Sequence, residues 1–529
     1  MFQRGESTSN EPVRRRFSRR FQVSLVVEGA LVGLFGGGVV TLYRLALSGA
    51  EELLRGIISR ISNNPPLIAC WFAVLLLILV IVSRLLLWEP ATSGSGIPQV
   101  DAEVEGALDA PWRRVIPAKF LEGTLLTFAG LSMGREGPSV QLGGMSGKAV
   151  SRALGRKRGE ERLLVTCGAA AGMSAAFHAP FTGVLFALEE IHKQFSAPLI
   201  ISVMCSAVVS DLLVSQVVGL NPVLDLSLAQ NLPHVTYPLV IVLGVLCGLV
   251  GALHNRGMFA VQDLFSRVRS HLPYARLALP FALAGFAAFV WPDLLCGGEA
   301  IVEQLLSPAG MTLGAILGLL LGKYVLTAIC FGSGAPGGTL YPLVVMGGLF
   351  GGLFFVAVGS AFGIEQVFFL NFAALGVAGL FSGVVRAPVT AVILVFELTG
   401  SLDALLSVSL VSILAFVTAS LTDTDAFYEH LLKPFLARTS VLRNEAAERK
   451  DLGSIHVGAG ARIEGMRVKD VPWPDGIRIV VIHRAGDELI PTGETVVHAM
   501  DELLFIAGES ATDDARMKLG LMCEPRVRS

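Results

Sequence analysis

The chain has 529 residues, 53% hydrophobic and 16% charged, with a formal net charge of −2 and a mean hydropathy of +0.65. Soluble domains carry roughly 25% charged residues, and so apolar a chain holds more hydrocarbon than one or two soluble cores can bury. Composition therefore excludes a soluble enzyme, a disulfide-stapled secreted scaffold and a disordered chain, and the near-zero net charge gives no nucleic-acid footprint.

From the N-terminus, polar residues to about 13 are followed by Arg14, Arg15, Arg16, Arg19 and Arg20. A long, Gly-rich apolar run then covers 23–47 without a clear small-residue cleavage site. It predicts a first membrane helix, with residues 1–22 held in the cytoplasm by the positive-inside rule. A basic arm lying on the membrane surface is compatible with that reading. Further apolar stretches lie near 66–88, 115–133, 163–190, 198–219, 236–260, 276–297, 309–331, 342–363, 366–398 and 403–421. Several are cut by Gly/Pro clusters or miss the ~20 residues of one span. Such segments predict a transporter or channel in which helix ends meet inside the membrane. The 58 glycines fit close helix packing there. The seven cysteines form no C-x-x-C pair and read as small buried hydrophobes.

An internal repeat supports broken helices. Gly134-Arg135-Glu136-Gly137-Pro138 leading to Gly143-Gly144 matches Gly338-Thr339-Leu340-Tyr341-Pro342 leading to Gly347-Gly348, at an offset of 204. Gly168, Ala179-Pro180-Phe181-Thr182 and Glu189 match Gly376, Ala387-Pro388-Val389-Thr390 and Glu397, at an offset of 208. Two related halves, about 23–220 and 236–421, with binding at their interface, are a recurrent transporter design.

Three Gly-rich segments carry the chemistry: Gly94-Ser95-Gly96-Ile97-Pro98, Gly134–Pro138, and Gly334-Ala335-Pro336-Gly337-Gly338-Thr339-Leu340-Tyr341-Pro342. Each reads as a loop feeding a helix N-terminus, where free N–H groups bind anions. Gly admits an ion close to the backbone, and Pro suits the first helical turn. Converging ends would bind an anion through partial charges and still release it. For each segment alone, a plain tight turn is the alternative.

Glu136 is the sharpest single residue, because a carboxylate inside a membrane domain is expensive and functional by default. On an anion-binding loop it is a tethered competitor that leaves when protonated, hence a proton-dependent gate. The alternative is an ion pair with Arg135. Glu189-Glu190 end an apolar run before Ile191-His192-Lys193. They read as an internal proton-transfer site or as a solvated helix end. Gly332-x-Gly334-x-x-Gly337 fits a dinucleotide fingerprint but lacks the strand and acidic residue its mechanism needs. Gly144-Met145-Ser146-Gly147 with His178 formally allows an intramembrane serine protease.

Together GSGIP at 94–98, GREGP at 134–138, GAPGG…P at 334–342 and LEEIHKQF at 188–195 resemble the CLC family of chloride channels and chloride/proton antiporters over about residues 20–435. The resemblance implies an all-α polytopic membrane domain of tilted, broken helices in two inverted repeats over 23–435. It also implies a homodimer in the cell membrane, cytoplasmic termini, one ion pathway per subunit, and no enzyme activity. By the same resemblance Ser95 supplies a hydroxyl to a central chloride, with Gly96 and Ile97 at the same helix end. Amides of Thr339 and Leu340 and the hydroxyl of Tyr428 complete that site. Glu136 is the external gate, supported by Gly134, Arg135, Gly137 and Pro138, and Glu190 is the internal proton carboxylate of the antiporter branch. Chloride and protons are then transported ions, and no cofactor is implied. The sequence departs from the family at Leu340, where Phe is frequent, at Gln99, where Glu is frequent, and in a longer 99–105 segment.

Residues 441–529 hold 12 Lys/Arg and 15 Asp/Glu, a charge density that marks a soluble domain at 452–529 behind a linker at 436–451. Strands are predicted at 454–457, 478–483, 489–490 and 503–507, the second entered through an Asp475-Gly476 turn. IEGM at 463–466, GIRIVVIHR at 476–484, IPTGET at 490–495 and DELLFIAG at 501–508 resemble the TrkA C-terminal domain of potassium transport systems. That implies a small α/β cytoplasmic module that binds an unknown small ligand or dimerises. The reading is a chloride/proton antiporter; a passive chloride channel keeps Glu136 as gate and makes Glu190 a bystander.

Overall fold

The computed structural model describes residues 11–193, 195–219, 232–268, 273–307, 311–359, 361–401, 404–444, 450–474, 477–484, 487–508 and 512–523. They form two compact units, Met1–Phe435 and Leu436–Ser529.

The first unit is helical. Its first half contains α1 (Glu11–Ile61), α2 (Pro65–Trp88), α3 (Ile97–Glu105), α4 (Trp112–Phe128), α5 (Glu136–Ala153), α6 (Arg158–Phe177), α7 (Pro180–Phe186) and α8 (Ala197–Val218). The second half contains α9 (Tyr237–Ser266), α10 (Tyr274–Val290), α11 (Glu299–Leu306), α12 (Leu313–Gly332), α13 (Leu340–Val358), α14 (Phe369–Val385), α15 (Pro388–Thr399) and α16 (Leu405–Ser420). The helix α17 (Phe427–Asn444) follows. Among the described residues, seven helices are long and apolar enough to cross a membrane. Side chains such as Leu76 and Leu77 on α2 are more than half exposed, as lipid contact requires. This is a multi-pass membrane protein.

Chain chemistry sets the breaks. The apolar stretches at 163–190 and 366–398 are each two helices. A residue before proline is pushed out of the α region, so Ala179 and Ala387, preceding Pro180 and Pro388, are extended. The residues ahead of them, His178 (φ 57°) and Arg386 (φ 70°), close α6 and α14 in the left-handed conformation. Helix α14 is apolar all round and lies in the interior, 89% of its spanning window being buried against 33% for α2. It reaches α13 across glycines: a β-carbon on Gly376 would lie 2.6 Å from the Gly351 nitrogen.

The two halves are joined reciprocally, as an approximate two-fold axis demands. Gly134 N–H donates to Gly338 O (2.7 Å), and Gly338 N–H donates to Gly134 O (2.8 Å). The Glu189 carboxylate accepts from Val389 N–H (3.2 Å), Thr390 N–H (2.8 Å) and Thr390 Oγ1 (2.7 Å). Glu397 accepts from Phe181 N–H (2.9 Å), Thr182 N–H (2.7 Å) and Thr182 Oγ1 (2.6 Å). Each repeat thus caps the first turn of the other's half-helix, α7 or α15.

The second unit is a four-stranded antiparallel sheet in the order β1-β4-β2-β3, with β1 (Lys450–His456), β2 (Arg478–Arg484), β3 (Asp487–Leu489), β4 (Glu502–Gly508) and a helix α18 (Thr512–Cys523). Its core is built from Val457, Ile463, Ile482, Leu503, Phe505 and Leu519. The strand expected at 489–490 begins earlier, and Ile490 is 85% exposed outside the sheet. Residues 475–476 lie outside the described residues. Within the segment read as a linker, α17 continues to Asn444 and β1 starts at Lys450.

Candidate functional site

The three Gly-rich segments converge. Gly94 N–H donates to Gly334 O (3.2 Å), Gly337 N–H donates to Gly94 O (3.1 Å), and Ser93 Oγ donates to Gly334 O (3.0 Å). The middle segment closes on both: a β-carbon on Gly137 would lie 2.6 Å from Ser95 O, and one on Gly338 2.8 Å from Gly137 N. Only glycine fits where three backbones meet this closely. The starts of α3, α5 and α13 therefore share one point. Gly96, at φ 101°, caps α3, and Thr339 caps α13. Each new helix leaves its first N–H groups without an intrahelical partner.

Hydroxyls line the same point. Tyr428, at the start of α17, is 1% exposed, and its hydroxyl faces the Ser95 and Thr339 side chains. The hydroxyls of Ser95 and Tyr428 are buried without a hydrogen bond. Ile97 and Leu340 are buried beside them. Buried donors without partners are costly, and aimed at one spot between helix N-termini they suit an anion.

Glu136 is fully buried at the first position of α5. Its Oε2 accepts from Tyr341 N–H of α13 (3.1 Å), and its Oε1 has no partner. A carboxylate thus occupies a position where two helix N-termini attract anions. Arg135 turns elsewhere: its guanidinium lies over the Tyr341 ring, 5.6 Å from the centroid, and its Nη1 is 4.0 Å from Glu299. The ion pair with Glu136 considered from sequence is not formed. Pro138 and Gly134 are buried in the same turn region.

Glu190 lies in a wider helical turn, Ala187–His192, that continues α7 and closes at Lys193 (φ 55°). It is 7% exposed, whereas its neighbour Glu189 is spent on capping α15. Charges facing Glu190 are Lys193, Asp101, Glu189 and Glu429. Lys193 Nζ in turn pairs with Asp101 Oδ2 (3.0 Å). Tyr428 lies within electrostatic reach of both Glu136 and Glu190, and Phe186 of α7 packs edge-on against its ring at 6.2 Å.

Sequence reasoning missed two lysines. Lys119 of α4 is fully buried and donates to Thr92 O and Gly94 O, both 2.7 Å. Lys323 of α12 is fully buried and donates to Leu294 O (3.1 Å) and Cys296 O (2.8 Å). Each ammonium pins the loop before a short helix, α3 or α11. The signal was present, since 119 and 323 stand at the 204-residue offset of the Gly-rich repeat. The protease alternative fails on geometry. Ser146 Oγ donates to Leu142 O of its own helix (2.7 Å), and His178 Nδ1 lies 2.9 Å from Asp211. The dinucleotide fingerprint at 332–337 joins two helices, α12 and α13, without a strand.

The family model for voltage gated chloride channels matches residues 74–420, which carry α3 to α16 and the convergent loops. The chain belongs to the voltage gated chloride channel family. Two relatives are each named H(+)/Cl(-) exchange transporter ClcA. That of Salmonella arizonae is 30% identical over 438 residues, covering 80% of this chain and 92% of the relative. That of Vibrio cholerae is 32% identical over 448 residues, covering 81% and 92%. A solved slow cyanobacterial Cl⁻/H⁺ antiporter superposes with a TM-score of 0.72 at 28% identity, covering 79% of this chain and 99% of that one. A CLC-type fluoride/proton antiporter, 23% identical with a TM-score of 0.61 over 75% and 96% of the two chains, shares the fold. To this channel-family core the chain adds a TrkA-C domain, matched at residues 452–520.

Proposed function

We propose that the protein exchanges chloride for protons across a cell membrane. The observation that carries the reading is Glu136, a buried carboxylate at the N-termini of α5 and α13, with Glu190 buried beyond Tyr428. Chloride is held at the amides of Gly96, Ile97, Thr339 and Leu340 and the hydroxyls of Ser95 and Tyr428. Partial charges bind it without the grip of a full cation. Ionised Glu136 competes with chloride for the helix ends. Protonated, it loses its charge and yields the position. Glu190 exchanges the proton at the other end, and the pair of carboxylates links proton movement to anion movement. The chain's relatives named as exchangers support the same reading.

Orientation follows from α1. Its basic start, Arg14 to Arg20, belongs in the cytoplasm. Leu25 near that end packs with Leu188, two residues before Glu190, and the basic turn at 152–162 is tied there by an Arg156 ion pair to Glu28. Ser48, toward the far end of α1, lines the cavity at Glu136. The ~36 Å between Ser24 and Ser48, at about 1.5 Å per residue, is comparable to a bilayer's ~30 Å core. In this reading Glu190 faces the cytoplasm and Glu136 the outside, and the proposal puts both termini in the cytoplasm. A homodimer with one pathway per subunit, and a small ligand at the TrkA-C unit, belong to the same proposal.

The test is reconstitution in liposomes under a chloride gradient with the voltage clamped near zero. Uphill proton movement, abolished by Glu190→Gln while chloride still flows, is expected. Chloride flux without proton movement would make the protein a channel.

A further inference from the structure

The mechanism so far leaves Glu136 sealed. It is 0% exposed, and its proton needs an outer acceptor. A cavity of about 30 Å³, room for roughly one or two waters, borders Glu136 and is also lined by Arg135, Glu299, Tyr341 and Glu51. A larger cavity of about 370 Å³ shares Glu51 and Cys296 with it. Two buried polar atoms of lining residues, Glu136 Oε1 and Arg135 Nε, have no hydrogen-bond partner among the described residues.

Glu299 is placed by the repeat. Gly298 (φ 110°) caps α11 as Gly96 (φ 101°) caps α3, and Lys323 holds the preceding carbonyl as Lys119 does in the first half. Where the first half has Ile97, the second has a carboxylate, fixed by Gly298 N–H to Glu299 Oε2 (3.1 Å). Its side chain is 29% exposed and meets Arg135 only at 4.0 Å. Glu136 is within electrostatic range. Lys323 faces it from α12 and Glu51 from α1. Arg135 and Lys323 are cationic side chains and Tyr341 a neutral phenol, so none is a ready proton acceptor. Glu51 is closely paired with Arg55 (2.6 Å).

We propose that Glu299 is the outer proton station of the exchange cycle. The inference rests on the exchange reading above. A proton leaves the Glu136 carboxyl through water in the small cavity and binds the Glu299 carboxylate. Glu136 becomes charged, Glu299 neutral, and Glu299 then releases the proton to outer water. The reverse order carries protons inward.

The experiment compares proton and chloride flux in liposomes for the full-length protein, Glu299→Gln, Glu299→Asp and Glu51→Gln. Glutamine keeps the shape and the bond from Gly298 but cannot take a proton. Proton flux should fall at least about tenfold in Glu299→Gln, with chloride flux retained as the check on folding. Glu299→Asp should restore it. Unchanged proton flux in Glu299→Gln, or a loss confined to Glu51→Gln, overturns the proposal. So does an equal loss of both fluxes in Glu299→Gln and Glu299→Asp, which is the mark of a purely structural role. If Glu299→Gln does not fold, the pH profile of proton flux in Glu299→Asp decides: a displaced profile is expected, and one superimposable on the parent overturns the assignment. A parent protein that moves no protons would instead sink the exchange reading.

Discussion

Glu136 and the two loop-pinning lysines show how single buried charges govern this site. Glu136→Gln removes the charge and keeps the volume, so it mimics permanent protonation. Chloride should still pass, proton coupling should vanish, and chloride flux should become insensitive to pH; a flux whose pH dependence matches the parent's would remove Glu136 from the gate. The lysines act through backbone carbonyls. Lys119→Met would leave Thr92 O unpaired and Gly94 O with only Gly337 N–H (3.1 Å), beside Ser95. One orphaned buried acceptor costs on the order of 1–3 kcal/mol. We expect a lowered melting temperature and weaker chloride binding by calorimetry. Lys323→Met, which leaves both Leu294 O and Cys296 O without their lysine donor, should cost at least as much stability without touching the loop at Ser95.

At the scale of helices, the adjacent acids Glu189 and Glu190 have separate work. Glu189 accepts at the N-terminus of α15, as Glu397 does at α7. A charged cap there contributes about 1–2 kcal/mol. Glu189→Ala and Glu397→Ala should each lower thermal stability by similar amounts, measured by unfolding in detergent, since the two-fold makes their contacts equivalent. Glu190→Gln should leave stability near the parent's and stop proton movement. A large stability loss in Glu190→Gln with intact coupling would reverse the assignment. The breaks that create these caps carry a local signal, because Pro180 and Pro388 push Ala179 and Ala387 away from the α region.

For the whole molecule, the second unit carries its own electrostatic clasp. Asp501 is buried on the sheet, and burial works against its charge. The bidentate contact from Arg484 (2.8 and 2.7 Å) and the bond from His498 N–H (2.8 Å) outweigh burial and hold the carboxyl below the usual aspartate range. A carboxylate with a depressed native pKa stabilises above its unfolded value and loses that contribution as pH falls through the native one. Asp501→Asn should therefore weaken the unit by about 2 kcal/mol at pH 7, with the gap closing below about pH 4. Hydrogen exchange of the β2 and β4 amides in the intact protein reads this directly. A gap that widens with acid would contradict the sign.

By itself the sequence determined the membrane class, the two related halves, the presence of broken helices, and the few residues on Gly-rich loops that can face an anion. These are local properties, since hydrophobicity, proline sterics and glycine freedom act within a few residues. It also marked Glu136, because a carboxylate in hydrocarbon is costly wherever it lies. Only the tertiary structure decided which helix ends share one point, which of two adjacent glutamates is free, and where Arg135 turns. It also revealed that Lys119 and Lys323 hold the loops, although their repeat spacing was visible. Those outcomes depend on contacts between residues some 200 positions apart, such as Gly134 with Gly338 and Glu189 with Thr390. Local chemistry offers each group several partners, and the two-fold packing of the halves selects one.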